Sequence, residues 1–87
     1  MPVKINVQHH GNLLEEISNE INRGNEKHGH APLANADDVV LILAEEVGEF
    51  AQAVLKDNYS EARLELIQIA AVAINHLLGT GPHQSKL

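Results

Sequence analysis

The stretch LAEEVGEFAQAVLK, Leu43 to Lys56, decides the fold of this chain. Its apolar residues recur at spacings of three and four, the pattern of a helix face turned towards a core. The predicted core face begins at Val40, three residues before this stretch. It consists of Val40, Leu43, Val47, Phe50, Ala51 and Val54. We therefore predict a central α-helix that packs through these residues.

Three glutamates interrupt the apolar pattern of the same helix: Glu45, Glu46 and Glu49. Glu46 and Glu49 are three residues apart, so they project from one side of the helix, about one turn from each other. Two like charges in this position repel each other beside an apolar face. Two interpretations follow: a divalent cation lies between the carboxylates, or the glutamates belong to a solvated acidic face.

Composition limits the class of protein. The chain has 87 residues, enough for one domain whose stability as a monomer is marginal. It has no cysteine for disulfides or thiolate metal sites, and no stretch typical of a signal peptide or membrane span, so we expect a cytoplasmic protein. A net charge of −6 with only 6 Lys and Arg argues against binding to a nucleic-acid backbone. The low aromatic content predicts an aliphatic core and an all-α fold.

The residues before the central helix divide into an arm, a helix and a loop. Residues 1–11 contain alternating apolar and polar side chains but have no later strand to pair with, which predicts an extended arm. Asn12 is a candidate N-cap for a first helix that ends near Gly24. Residues 24–36 include two glycines and a proline without apolar periodicity, which predicts a loop.

The second half of the chain predicts a helical hairpin. The central helix is expected to be capped by Asn35 and to end near Lys56. In the short turn that follows, Asn58 is expected to take the left-handed conformation that ends a helix, and Ser60 to cap the next one. The last helix then runs from Glu61 to Leu78 and lies antiparallel to the central helix.

The last helix is apolar on nearly every side between residues 66 and 74, which predicts that it is buried all round. Three helices of so short a chain lack the surface to enclose one of their own number, so we expect another copy to cover it. The predicted assembly is a homodimer or a dimer of dimers, with a four-helix-bundle-like core shared between subunits. Residues 79–87 are expected to form a mobile tail of this single domain.

The hairpin predicts where the acidic residues meet. In an antiparallel hairpin, residues at equal distances from the turn face each other, and Glu65 and Gln68 match the distance of Glu46 and Glu49. Three carboxylates and one amide oxygen would then converge, which suits magnesium or manganese better than zinc. The alternative is structural: Gln68 hydrogen-bonds across the bundle to a polar residue such as Asn75 or His76, and Glu65 lies near the surface.

At these residues the chain resembles the MazG-type all-α nucleoside triphosphate pyrophosphohydrolases, whose motif is EExxE followed on the next helix by ExxD. EEVGE, Glu45 to Glu49, matches the first part. ELIQ, Glu65 to Gln68, stands where ExxD is expected, as in a small MazG-like branch with glutamine in place of the aspartate. The loop segment NEKHGH, Asn25 to His30, is also similar to that branch. The resemblance covers roughly residues 13 to 78.

The resemblance implies a magnesium-dependent hydrolase that cleaves a nucleoside triphosphate between the α and β phosphates and removes unwanted nucleotides. Its implied magnesium ligands are Glu46, Glu49, Glu65 and Gln68, and its implied catalytic residues are Glu45, Glu46 and Glu49. Glu45 would orient water, because it points about 100 degrees away from Glu46 on the helix. Gln68 carries no charge, so it should weaken metal binding relative to an aspartate.

Three further residues are candidates for binding the substrate: Glu20, Lys27 and His28. Lys27 could reach a phosphate as a point charge, although an exposed loop lysine is commonly only solvated. His28 could stack on a base, and with His30 it could bind a transition metal. Their spacing matches no zinc pattern, which favours surface histidines.

Two other functional classes compete with the hydrolase. A relative that kept the helical bundle and lost activity would act as a binding or interaction module, and Gln68 favours this alternative. A carboxylate-bridged di-iron bundle requires a histidine three residues after a glutamate. Neither Glu49 nor Glu65 is followed by one, which disfavours the di-iron class.

Overall fold

A computed structural model of the chain describes residues 2–27 and 36–79, and these form three α-helices. The helices are α1, Val7–Lys27, α2, Ala36–Leu55, and α3, Tyr59–Leu78. The described residues contain no strand, so the predicted all-α class is confirmed. Among these three helices, none is long and apolar enough to cross a membrane.

The first helix begins earlier and ends later than predicted. Asn6, not Asn12, lies at its start: the Asn6 side-chain oxygen accepts hydrogen bonds from the backbone N–H groups of Gln8 (2.7 Å) and His9 (3.4 Å). These bonds satisfy donors that a helix start leaves free. The arm predicted for residues 1–11 therefore extends only to residue 6. Residues 24–27, predicted to lie in the loop, complete α1.

The turn between α2 and α3 lies where it was predicted, but different residues end α2 and cap α3. Asp57, with a φ of 55°, takes the left-handed conformation expected of Asn58. Asn58 instead caps α3, because its side chain accepts a hydrogen bond from the Glu61 N–H at 3.2 Å, so Ser60 is not the cap. Gly79 ends α3 with a φ of 76°. Asn35 and the tail beyond Gly79 lie outside the described residues.

α3 is the central helix of the three and packs against α2 and α1. Near the turn, the buried residues Ala53 and Ala62 are small enough to let α2 and α3 approach closely. On α1, Ile17 packs with Ile67 and Ala71 of α3 to form the core cluster. No Cα atom of α1 lies within 8 Å of a Cα atom of α2 in the described residues, so both helices depend on α3 for their packing.

Two side-chain contacts set the direction of α1 against α3. Arg63, near the start of α3, donates to Glu16, in the middle of α1, with Nη1 2.6 Å from Oε1. Asn75 donates to Asn25 at 3.1 Å near their far ends. α1 and α3 therefore run in the same general direction. α2, which lies between them in the sequence, runs in the opposite direction.

The predicted core face of α2 is wrong for most of its residues. Val40 is 62% exposed and Val47 is 52% exposed, while the buried residues of α2 are Val39 and Ala53. The helix is apolar on more than one side, and it has only α3 to pack against in the described chain, so one apolar side remains at the surface. The exposed apolar residues with heptad spacing, which we call the α2 seam, are Val40, Ala44, Val47, Ala51 and Val54.

The surface of α3 also differs from the prediction. Between residues 66 and 74, only Leu66 is exposed, at 49%, because α1 and α2 cover the remainder fully or in part. The apolar surface without cover in the described residues therefore lies chiefly on α2 and at the ends of the helices. The four-helix arrangement predicted from α3 needs a second chain, and it is taken up below as a proposal.

Candidate metal centre

Glu46 and Glu49 of α2 meet Glu65 of α3 at the hairpin interface, and we call these three residues the acidic cluster. One carboxylate oxygen from each lies within 4.8 Å of the others. The three-residue spacing in α2 places two of the acids on one side of the helix, and the antiparallel turn brings the third opposite them. This is the convergence that the sequence predicts. Glu49 is exposed, Glu46 half-buried and Glu65 buried, so the cluster lies at the edge of the interface.

Glu65 is the most deeply buried member, with 6% of its surface exposed. Burial raises the pKa of its carboxyl group to about 7, aided by a side-chain hydrogen bond with Glu61 and by the charges of Glu49 and Glu46. A proton on Glu65 thus relieves some of the repulsion within the cluster at moderately acidic pH. A divalent cation bound between the three carboxylates would reduce the same repulsion further, because it carries two positive charges.

Glu46 has a polar atom that its surroundings leave unsatisfied. Burial raises the pKa of its carboxyl group, with further contributions from the negative charges of Glu49, Glu20 and Glu45, whereas Arg23 alone lowers it. Its Oε1 atom is buried and has no hydrogen-bond partner within the described part of the chain. A buried acceptor without a partner is costly, and a bound cation is one group that would satisfy it.

Gln68 completes the polar contacts between α2 and α3. With its amide nitrogen turned towards the carboxylates, it donates to Glu65 Oε1 at 3.0 Å and to Glu46 Oε2 at 3.2 Å. Gln68 therefore hydrogen-bonds across the helix interface to the acidic cluster, and Glu65 is buried there and does not lie near the surface. A half-turn of the amide would exchange nitrogen for oxygen and present a neutral ligand to a cation in the same place. Three carboxylates and one amide oxygen fit a hard divalent cation.

The remaining candidates have different positions. Glu45 is exposed, and its charge contributes to raising the pKa of Glu46, so it lies beside the cluster without joining it. Glu20, on α1, also acts on the pKa of Glu46 and is paired with Arg23. Lys27 is the last residue of α1. His28, together with His30, lies outside the described residues, so the structure does not bear on their predicted roles.

Two residues near the cluster were missed by the sequence analysis. Arg23 brings a positive charge to bear on Glu46, and Glu61 hydrogen-bonds Glu65. The spacing of each residue along its helix could have indicated its position. Arg23 stands three residues after Glu20, and Glu61 stands four residues before Glu65 on the side of α3 that carries the cluster.

Comparison with protein-family models, with curated protein sequences and with solved structures finds no significant match for this chain. The geometry of the cluster and the sequence motifs on α2 and α3 are therefore the observations on which a function can be based.

Proposed function

We propose that the protein is a magnesium-dependent nucleotide pyrophosphohydrolase, which cleaves a nucleoside triphosphate between the α and β phosphates. The observation that carries the proposal is the convergence of Glu46, Glu49 and Glu65 within 4.8 Å at a helix interface. A buried carboxyl with its pKa raised to about 7 and an unsatisfied carboxylate oxygen accompany it. The similarity of EEVGE and ELIQ to the MazG-type motifs supplies the reaction class.

In this proposal the acidic cluster and Gln68 hold the cation, with manganese as a substitute for magnesium. The cation would neutralise phosphate charge and polarise the phosphorus at the scissile bond. Glu45, exposed beside Glu46, would orient the attacking water. Glu49, the exposed ligand, would face the incoming nucleotide. Glu65, buried on α3, would anchor the ion on the interior side and give up its proton when the ion binds.

The second candidate is a helical oligomer without catalytic activity that acts as a binding module. The hydrogen bonds from Gln68 to Glu46 and Glu65 favour it, because they stabilise the carboxylates without any cation. This closed arrangement would be the resting state of an inactive relative. The two candidates differ in whether a divalent cation displaces the amide nitrogen from the cluster.

The oligomer is part of both candidates. The α2 seam has the four-three spacing that packs one helix against another at heptad positions, and its exposed apolar residues lack cover in the described chain. A second copy that offers the same seam would cover Val40 and Val47 in a symmetric contact. Two α2–α3 hairpins joined in this way make a four-helix bundle. We therefore propose a homodimer, or a dimer of dimers, with α2 at its centre.

A pyrophosphate-release assay tests the function. Purified protein is incubated with a panel of ribonucleoside and deoxyribonucleoside triphosphates, with magnesium, with manganese or with a chelator. We expect pyrophosphate and nucleoside monophosphate from at least one nucleotide, only when the cation is present, and loss of this activity in Glu49→Gln. Magnesium binding without hydrolysis of any nucleotide in the panel would favour the binding module.

A further inference from the structure

Part of α3, as well as the α2 seam, is apolar surface that the three helices do not fully cover. Four apolar residues of α3 have the four-three-four spacing of a heptad pattern, and we call them the α3 seam: Leu66, Ala70, Ala73 and Leu77. Leu66 is 49% exposed and Leu77 is 81% exposed, and the two alanines between them are half-buried. Neither seam contains a charged residue.

The two seams lie on the same side of the α2–α3 hairpin. Each seam residue, on either helix, comes one position after a buried or half-buried residue. Val47 follows Glu46, and Leu66 follows Glu65, and these two glutamates meet at the hairpin interface. One position is a turn of about 100° in the same rotational sense on both helices. Because the helices are antiparallel, equal turns lead to the same side of the hairpin.

The acidic cluster opens towards the opposite side of the hairpin. Glu49 comes three positions after Glu46, and Gln68 comes three positions after Glu65. Three positions are about 300°, which equals about 60° in the reverse sense, away from both seams. The side that carries the seams is therefore separate from the candidate metal centre.

The sizes of the side chains make this side complementary to itself. Residues at equal distances from the turn lie side by side, so Val47 is level with Leu66, and Ala44 is level with Ala70. The first pair, which we call the hairpin ridge, has two large side chains. The second pair, the hairpin depression, has two small ones about one turn away. A two-fold axis between the pairs places the ridge of each copy over the depression of the other.

The area and the charge of this side also fit a second copy. Over residues 40–54 the hairpin is two helices wide, so this side measures about 20 Å by 20 Å. A corrugated surface of that size supplies an accessible area of the order of the about 800 Å² that a standard interface buries per partner. The chain has a formal net charge of −6, so two copies repel each other through their charged surfaces. The uncharged seams let them approach without that repulsion.

We propose that the side of the hairpin formed by the α2 seam and the α3 seam binds a second copy, with the hairpin ridge of each copy packed into the hairpin depression of the other. This inference rests on the homodimer of the proposed function and extends it, because α3 takes part as much as α2 and side-chain size fixes the packing. The two acidic clusters then lie on the outer sides of the dimer, each built from one chain.

Sedimentation velocity over a range of concentrations measures the dimer Kd of the full-length protein and of four variants. Leu66→Arg places a charge in the hairpin ridge. Leu64→Arg is its matched control, because Leu64 is 42% exposed and lies about 160° around α3 from Leu66. Ala44→Leu fills the hairpin depression, and Glu49→Gln alters the acidic cluster. Circular dichroism checks that each variant remains helical.

We expect Leu66→Arg to raise the dimer Kd about tenfold or more, because a charge would be buried in an apolar contact. Leu64→Arg and Glu49→Gln should match the parent. Ala44→Leu should raise the Kd about fivefold or more although it adds apolar surface, because overfilling a fitted contact is unfavourable. A contact that depended on apolar area alone would become tighter with the same change.

Three results would overturn this inference and leave the α2 contact of the proposed function intact. One is an equal Kd for Leu66→Arg and the parent, another is an equal effect of Leu66→Arg and Leu64→Arg, and the third is unchanged or tighter association of Ala44→Leu. A raised Kd for Glu49→Gln would contradict the separation of the dimer surface from the cluster. A parent protein that stays monomeric at micromolar concentration would overturn the proposed homodimer and this inference together.

Discussion

The side-chain amide nitrogen of Gln68 on α3 donates a hydrogen bond to Glu46 Oε2 on α2, at a distance of 3.2 Å. The same amide nitrogen reaches Glu65, so one neutral side chain joins two carboxylates that would otherwise repel each other across the interface. An aspartate at this position could offer no such donor. Gln68 therefore stabilises the acidic cluster before any cation binds. In return, it offers a cation a neutral ligand where an aspartate would offer a negative charge.

Replacement of Gln68 by aspartate should destabilise the protein without metal and strengthen its response to magnesium. The change removes two hydrogen bonds to carboxylates and adds a fourth negative charge, so we expect a loss of about 2 kcal/mol or more without metal. Magnesium should restore most of the loss. Melting curves with magnesium and with a chelator measure both effects.

Asn12→Asp is the control for the Gln68 variant, because Asn12 is an exposed residue of α1 outside the acidic cluster. It should change the melting temperature little in either condition. Destabilisation of Gln68→Asp that magnesium leaves unchanged would count against the metal centre.

Replacement of Glu49 by glutamine should remove much of the magnesium-dependent stabilisation. A cation at about a hundred times its Kd stabilises the folded state by about 2.7 kcal/mol, and loss of a charged ligand weakens that binding. Without metal, the variant should be as stable as the parent or slightly more so, because Glu49 repels Glu46 and Glu65. Thermal shift across a magnesium titration is the measurement.

Glu15→Gln provides the matched comparison for Glu49→Gln, since Glu15 is an exposed glutamate of α1 outside the cluster. It should keep the full magnesium response. The same response in Glu49→Gln as in the parent would place any cation site elsewhere.

The protein without metal should lose stability as the pH rises towards 8. The Glu65 carboxyl has a pKa of about 7 in the folded protein against 4.5 as its ordinary value, so the folded state binds the extra proton between these pH values. This stabilisation is complete below pH 4.5 and is lost as the pH rises through 7. Each pKa unit is worth about 1.4 kcal/mol, so the loss between pH 5 and 8 is about 2 to 3 kcal/mol.

Chemical denaturation at a series of pH values, in a chelator, measures this dependence. Glu65→Gln should abolish the Glu65 contribution, and Glu15→Gln should retain it. Identical pH profiles for the parent and Glu65→Gln would show that Glu65 titrates normally. Magnesium should oppose the loss at high pH, because it binds the deprotonated carboxylates.

An arginine in the α2 seam should disrupt self-association. Val47 is exposed at the middle of the seam, and Val47→Arg would place a charge where two seams are proposed to meet. We expect its dimer Kd to rise about tenfold or more, as for other charges buried in an apolar contact. Sedimentation velocity over a range of concentrations measures the Kd.

Gln52→Arg adds the same charge to α2 about 140 degrees around the helix from Val47, and it should leave association unchanged. A parent protein that stays monomeric at micromolar concentration would rule out the seam as an interface. Equal effects of the two arginines would point to a general effect of charge.

The amino-acid sequence by itself determined the helices of the hairpin and the meeting of Glu46, Glu49 and Glu65. Spacing within a helix and distance from a turn follow from backbone geometry, so these features could be predicted without knowledge of packing. The start of α1 could not be predicted in this way, since Asn6 and Asn12 are equally suited to cap a helix and the structure uses Asn6.

The tertiary structure alone decided which side of each helix is covered and which charges surround the cluster. α2 is apolar on two sides, and only its packing on α3 buries Val39 and leaves Val40 at the surface. Burial at that interface also raises the pKa of Glu65, and the packing of α1 on α3 lets the charge of Arg23 lower the pKa of Glu46. Helical periodicity assigns residues to a side of a helix, but burial and electrostatic coupling depend on the partner that the side meets.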